Sequence, residues 1–268
     1  MAGAHPPLPP EGLSVETPLP FLIVCPLVFV ASVVDAIAGG GGLISLPAYL
    51  IAGLPAHVAL GTNKLSSCMG TALATLRYAR HGFVRPRRAL VCAAFGLAGS
   101  VLGANLALLA GDEVLQAVML VVVPLTAAYV LRRKAFEERP DRLGPRATLA
   151  LCAAVSCALG VYDGFFGPGT GTYLILLFVA VCRLPLAEAA GTTKVVNLTT
   201  NVAALAVFLA NGTVLVPLGL TAGLFGMAGA WVGTAFFMGK GVKVIRPVML
   251  GVLAVFFVRL AGNLLGAW

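Results

Sequence analysis

Apolar residues run along this chain in long stretches, and polar residues are confined to short gaps between them. Runs of this kind predict helices that are apolar on nearly every face. The first stretch covers residues 21–53. One straight membrane crossing takes about 20 residues, so this stretch is too long for a single helix. Four glycines at 39–42 break it near its middle. Three ordinary helices are predicted next, at about 57–80, 88–109 and 112–131. The pattern then starts again. A long stretch at 147–182 is broken by glycines at 164–171, and helices follow at about 186–209, 214–237 and 245–266.

The recurrence extends to the residues themselves. Ala59-Leu-Gly-Thr-Asn-Lys64 matches Ala189-Ala-Gly-Thr-Thr-Lys194, 130 residues later. Phe95-Gly-Leu-Ala-Gly99-Ser-Val-Leu-Gly103 matches Phe225-Gly-Met-Ala-Gly229-Ala-Trp-Val-Gly233 at the same spacing of 130. Val118-Met-Leu120 matches Val248-Met-Leu250 likewise. Asp35 and Asp163, each just before a glycine break, match with a slip of two residues. The expected organisation is a disordered Pro-rich tail (1–20), a first transmembrane repeat (21–131), a basic cytoplasmic linker (132–146) and a second transmembrane repeat (147–268). The tail lacks the positive start of a signal peptide.

Composition narrows the class. Hydrophobic residues make up 59% of the 268 residues and charged ones 10%, against about a quarter charged in a soluble domain. Mean hydropathy is +0.99. A soluble fold of this size cannot hide so much apolar surface. A soluble enzyme, a nucleic-acid module and a secreted disulfide scaffold are excluded, and the bilayer is the expected solvent. The six Cys show no metal-ligand spacing and read as small buried hydrophobes. No metal, cofactor or nucleic-acid partner is expected, and no nucleophile–base set suggests an enzyme. His57 reads as an ordinary loop-edge residue.

The net charge of +8 sits in three clusters. They are Arg85, Arg87 and Arg88; Arg132, Arg133, Lys134, Arg139, Arg142 and Arg146; and Lys240, Lys243 and Arg246. Two topologies remain open. If each broken stretch crosses once, each half has four crossings and the repeats are parallel. If each is a re-entrant hairpin, each half has three crossings and the repeats are inverted. The inverted arrangement puts all three basic clusters on one side, which the positive-inside rule favours. The expected fold class is an all-α polytopic membrane protein with two tandem homologous repeats. Each repeat holds a Gly-broken, re-entrant helix hairpin and three transmembrane helices.

The candidate chemistry lies at the breaks and just after them. Backbone N–H groups freed at Gly40, Gly41, Gly42, Gly169, Thr170 and Gly171 are costly in lipid unless they face protein, water or a ligand. The short arms that follow, from Leu43 and from Tyr173, would present N–H groups and a positive dipole end to an anion. Thr170 and Thr172 can add hydroxyl donors. The plainer alternative is close helix packing through small residues. Lys64 and Lys194 lie about two turns inside their helices. Charge at that depth must be paired or must face a cavity. Asp35 and Asp163 are the available acids. The plainer reading is one structural Asp–Lys pair in each half. The functional reading has the lysines neutralising an anionic substrate, with an Asp pairing or taking a coupling proton. Lys194, Asn197 and Asn201 share a helical face, as do Lys64, Ser67 and Thr71. Thr62, Asn63, Thr192 and Thr193 sit at the start of the same helices. Gly99/Gly103 and Gly229/Gly233 read as packing pairs. Arg259 has no counterpart in the first half and no assigned role.

These blocks resemble the TauE/SafE sulfite exporter family, part of the toluene-sulfonate uptake permease group. The resemblance is carried by Asp35-Ala-Ile-Ala-Gly-Gly-Gly-Gly-Leu-Ile-Ser-Leu-Pro47, by Leu54-Pro55 with Gly61-Thr-Asn-Lys64, and by Tyr162-Asp-Gly-Phe-Phe-Gly-Pro-Gly-Thr-Gly-Thr172. It covers residues 20–268 and implies a multi-pass permease of the bacterial inner membrane. Small anions are the implied substrates, often sulfur-containing ones such as sulfite, thiosulfate or organosulfonates. The family's substrates differ, so sulfite itself is not implied. The second break departs from the plain glycine form by holding Pro168 and Thr170, which leaves the symmetry of the two sites open. An anion channel, a non-transporting membrane scaffold, and a proton- or cation-coupled transporter centred on Asp35 and Asp163 are the rival readings. Homo-oligomerisation, the direction of transport and the coupling ion stay open.

Overall fold

The computed structural model describes residues 18–111, 114 and 143–240. The predicted helices at 112–131 and 245–266, the tail up to residue 17, the linker at 132–142 and Arg259 lie outside the described residues. The rest forms eight helices: α1 (Leu19–Ala38), α2 (Gly42–Ile51), α3 (Ala56–Arg80), α4 (Pro86–Leu109), α5 (Pro145–Phe165), α6 (Thr170–Ala180), α7 (Leu186–Ala210) and α8 (Val216–Lys240).

Proline and glycine set the boundaries. Pro55 and Pro185 cap α3 and α7, and Pro86 and Pro145 open α4 and α5, where a missing N–H costs nothing. Gly39 ends α1 at φ 75° and returns its N–H to the Asp35 carbonyl. Side chains rarely tolerate that left-handed backbone. Each long apolar stretch is therefore two helices, a long one and a short one that folds back. α1, α4, α5, α7 and α8 are long and apolar enough to cross a membrane. α3, of 25 residues, is not among them. It carries Thr62, Asn63, Lys64, Ser66, Ser67 and Thr71 along its length.

Small residues decide which helices touch. On α4, Gly99 rests on the Cys157 carbonyl and Gly103 on that of Val161, so α4 and α5 run parallel. On α8, Gly229 rests on the Phe29 carbonyl and Gly233 on that of Val33, so α1 and α8 run parallel. α3 lies parallel to α8, with Leu65 on Gly219 and Met69 on Gly223. α4 lies parallel to α7, with Phe83 on Gly191 and the Ser100 hydroxyl donating to the Thr200 carbonyl at 2.7 Å. α3 and α7 cross antiparallel, since Lys64 reaches Asn201 while the Thr75 hydroxyl donates to the Lys194 carbonyl. The packing reading of both GxxxG pairs thus has its contacts. Leu90, Leu102, Leu224 and Trp231 stay exposed on the outside of the bundle, as lipid-facing residues do.

These registers sort the charges. One end of the bundle holds the turns at 81–85 and 181–185, the start of α5 and the end of α8. Arg80, Arg85, Arg87, Arg88, Arg146, Arg183 and Lys240 lie there. The opposite end holds the turns at 52–55 and 211–215, and its described turn residues include no Lys or Arg.

Candidate functional site

The two glycine breaks cross at the centre. Gly39 packs on the backbone of Gly171, and a Cβ on Gly42 would lie 2.9 Å from Pro168 Cα. The Thr172 N–H donates to the Gly39 carbonyl at 3.2 Å, and its hydroxyl donates to the Ala38 carbonyl at 3.0 Å. The Thr170 hydroxyl donates to the Gly167 carbonyl at 2.7 Å. These hydroxyls therefore tie down backbone instead of waiting for an anion. The N–H groups of Leu43 and Tyr173, expected to be free, turn back to the carbonyls of Gly40 and Gly169. The cause is local: the first turn of each short arm closes on its own break.

The four intramembrane charges pair across the halves. Lys64 Nζ lies 2.8 Å from Asp163 Oδ2 and donates to Asn201 Oδ1 at 3.1 Å. Lys194 Nζ lies 3.0 Å from Asp35 Oδ2 and also donates to the Asp35 carbonyl. The expectation of one pair within each half is corrected: each lysine takes the acid of the other half. The crossing of the two breaks brings Gly167 beside Lys64 of α3 and Asp35 beside Lys194 of α7. The Lys64 and Asp163 side chains are 3% and 5% exposed, so neither charge can be left alone at low cost.

A cavity of about 50 Å³ lies against these groups. A water needs about 10–15 Å³ on this measure, so the space suits a small ion with a few waters. Asp35, Asn63, Lys64, Asp163, Asn197 and Asn201 all line it. Asn63 Oδ1 and Asn197 Oδ1 are buried with no hydrogen-bond partner among the described residues. Buried amide oxygens are nearly always bonded, so unpaired ones at a cavity wall mark a place for a hydrogen-bond donor such as water.

Of the residues singled out in the sequence, Gly41, Gly42, Asn63, Lys64, Gly171 and Asn197 line the cavity, together with Asp35 and Asp163. So do Ser67, Thr71 and Asn201 of the two polar faces. Gly40, Thr62, Gly169, Thr170, Thr192, Thr193 and Lys194 are not in its wall. Gly40 packs near the Thr172 hydroxyl, and Gly169 caps α6 at φ 84°. Thr62 Oγ1 accepts the Leu215 N–H at 2.9 Å, tying α3 to the start of α8. The Thr192 and Thr193 hydroxyls are buried without a partner among the described residues. Lys194 is wholly buried behind Asp35. Sequence reasoning missed Ser32 and Ser45, which also line the cavity. Ser32 lies three residues before Asp35 and Ser45 three after Gly42, a helical spacing that could have found them.

The lining is lopsided. Val28, Ser32, Gly70 and Ala230 belong to it, while their counterparts Ser156, Gly160, Thr200 and Ser100 do not. A second charge cluster is also one-sided. Glu188 on α7 meets Arg88 of α4 and, at 3.0 Å, Arg85 in the turn before it.

The model of the sulfite exporter TauE/SafE family matches residues 24–260 of this chain. The chain is 40% identical over 248 residues to "Probable membrane transporter protein ORF9" of Sinorhizobium sp, covering 91% of this chain and 93% of that one. It is 38% identical over 224 residues to a "Probable membrane transporter protein" of Haemophilus influenzae, covering 83% and 87%. It is 34% identical over 251 residues to "Probable membrane transporter protein YfcA" of Escherichia coli K12, covering 93% of each. No solved structure matches.

Proposed function

The chain belongs to the sulfite exporter TauE/SafE family of membrane transporters, and from that premise we propose that it carries small anions across the bacterial inner membrane. The observation that carries this reading is Lys64, a buried lysine in the wall of a central cavity that the side-chain amides of Asn63, Asn197 and Asn201 also line. Lysine and amide donors without a large apolar pocket suit a compact oxyanion, and sulfur oxyanions or small sulfonates fit that description. The break glycines Gly41, Gly42 and Gly171 bring backbone to the same wall.

The halves form inverted repeats in this reading. The support is register: α3 and α7 are counterparts and cross antiparallel, while α1 follows α8 and α4 follows α5. Each half then has a re-entrant hairpin, and the end rich in Arg faces the cytoplasm. Inverted repeats that meet at broken helices, with a site near the midplane, work by rocking one half against the other. The lopsided cavity fits one of two such states.

The test is uptake of sulfite, thiosulfate and methanesulfonate into vesicles holding the purified protein. Lys64→Ala and Lys194→Ala are each expected to abolish uptake while the protein stays folded in the membrane. Full uptake by Lys64→Ala would overturn the anion-binding role. A bound anion at 100 times its Kd should also add about 2.7 kcal/mol of stability in a thermal-shift measurement.

A further inference from the structure

The charges around the cavity do not suit an anion as they stand. Among the described residues, its wall holds one cation, Lys64, and two carboxylates, Asp35 and Asp163. Counting Lys194 behind the wall brings the group only to neutrality. Lys64 is already held by Asp163 at 2.8 Å. A bare anion entering this space would meet a satisfied lysine and a carboxylate within a few ångströms, with little water to screen them. One negative charge has to go.

We propose that anion binding takes up one proton, that Asp163 carries it, and that the anion replaces this carboxylate on Lys64 Nζ. The inference rests on the anion-transport reading above. The step balances. The pair of ammonium and carboxylate, one proton and one monoanion become an ammonium–anion pair beside a neutral carboxylic acid. No covalent bond other than the new O–H forms or breaks. The charge of the site is the same before and after, so a buried ion is never left unpaired.

The geometry selects Asp163 over Asp35. Lys194, the partner of Asp35, is wholly buried outside the cavity wall and grips Asp35 through both its carboxylate and its backbone carbonyl. An incoming anion meets Lys64 first. The groups facing Asp163 are few. From α3 come Lys64 and, within electrostatic reach, Cys68. From α7 comes Asn201, through its bond to Lys64. From α4, Ser100 and Ala104 pack their backbone on Gly164 and bring no charge. On α5 itself Tyr162 donates its hydroxyl to the Pro168 carbonyl. From α6, the Thr170 hydroxyl is spent on the Gly167 carbonyl. Asp35 is the other acid of the wall.

The experiment is equilibrium binding of methanesulfonate and ethanesulfonate to the purified full chain in detergent, from about pH 6 to about pH 8, where both probes are monoanions. The expected result is a Kd that rises about tenfold per pH unit, the signature of one proton taken up. Asp163→Asn should bind with no pH slope, and Asp35→Asn should keep the slope. A pH dye in weak buffer gives a second measurement on the unaltered protein: one proton should leave solution per anion bound, whether or not Asp163→Asn folds. A flat Kd in the unaltered protein overturns the proposal. So does a slope that survives Asp163→Asn, or a dependence on sodium in place of pH. If neither probe binds, and sulfite does not either, the anion reading itself fails. Binding without proton uptake removes only the coupling.

Discussion

A single lysine inside a membrane helix is a costly residue, and Lys64 shows what offsets the cost. Its ammonium is held by Asp163 and Asn201. Removing one member of a buried pair costs about 3–5 kcal/mol, because the other is left uncompensated. Lys64→Ala should therefore lower the melting temperature. Adding Asp163→Ala in the same chain should restore much of the loss, while uptake stays absent. Thermal unfolding and vesicle uptake of the single and double variants measure the two roles separately. The sequence made the four charges legible, since charge at that depth has few explanations. It did not make their partners legible. Spacing along one chain suggested pairs within each half, and only the crossing of the hairpins exchanges them. Lys194 was equally visible in the sequence, yet its burial behind Asp35 depends on packing that no local pattern encodes.

Among the elements, the two breaks and the glycine pairs carry most of the architecture. The ends of α3, α4 and α7 fall within about two residues of the apolar runs, because Pro and Gly punctuate them. α1 and α5 start where the runs start and stop at their glycines. The polar content of α3 keeps it from resembling a span by hydropathy, and part of it, Asn63, Lys64, Ser67 and Thr71, lines the cavity. What the sequence left unread was the direction of the short arms, whose N–H groups close on their own turns. Gly103 makes the packing testable. A side chain there would collide with the Val161 carbonyl, whereas Gly144 has nothing near it. Gly103→Leu should separate α4 from α5 and strongly reduce folded protein by size-exclusion chromatography. Gly144→Ala should leave the elution profile unchanged.

The whole molecule has two unlike ends. Seven basic residues gather at one end, and the described turns of the other carry none. With the basic end in the cytoplasm, a cysteine placed at Gly212 should react with a membrane-impermeant maleimide in intact cells. One placed at Gly82 should react only after the cells are opened. The reverse pattern would overturn the orientation, and equal labelling of both sites would overturn the inverted arrangement. The recurrence of motifs at a spacing of 130 residues is what suggests a duplication. The loop charges favoured inverted halves over parallel ones, and the labelling pattern is the test of that choice.

The exchange of partners between halves also bears on how the chain is made. Lys64 and Asp35 leave the ribosome about 100 and 159 residues before Asp163 and Lys194, which neutralise them. The packing faces of α1 and α4 wait in the same way for α8 and α5. Until then the newborn first half holds two charges at membrane depth without their final partners, a state the insertion machinery must tolerate or shelter. A chain cut short before α5 has no route to the paired state. It should be destroyed by membrane proteases, and pulse-chase labelling of a fragment ending near residue 140 would show it vanish while the full chain persists.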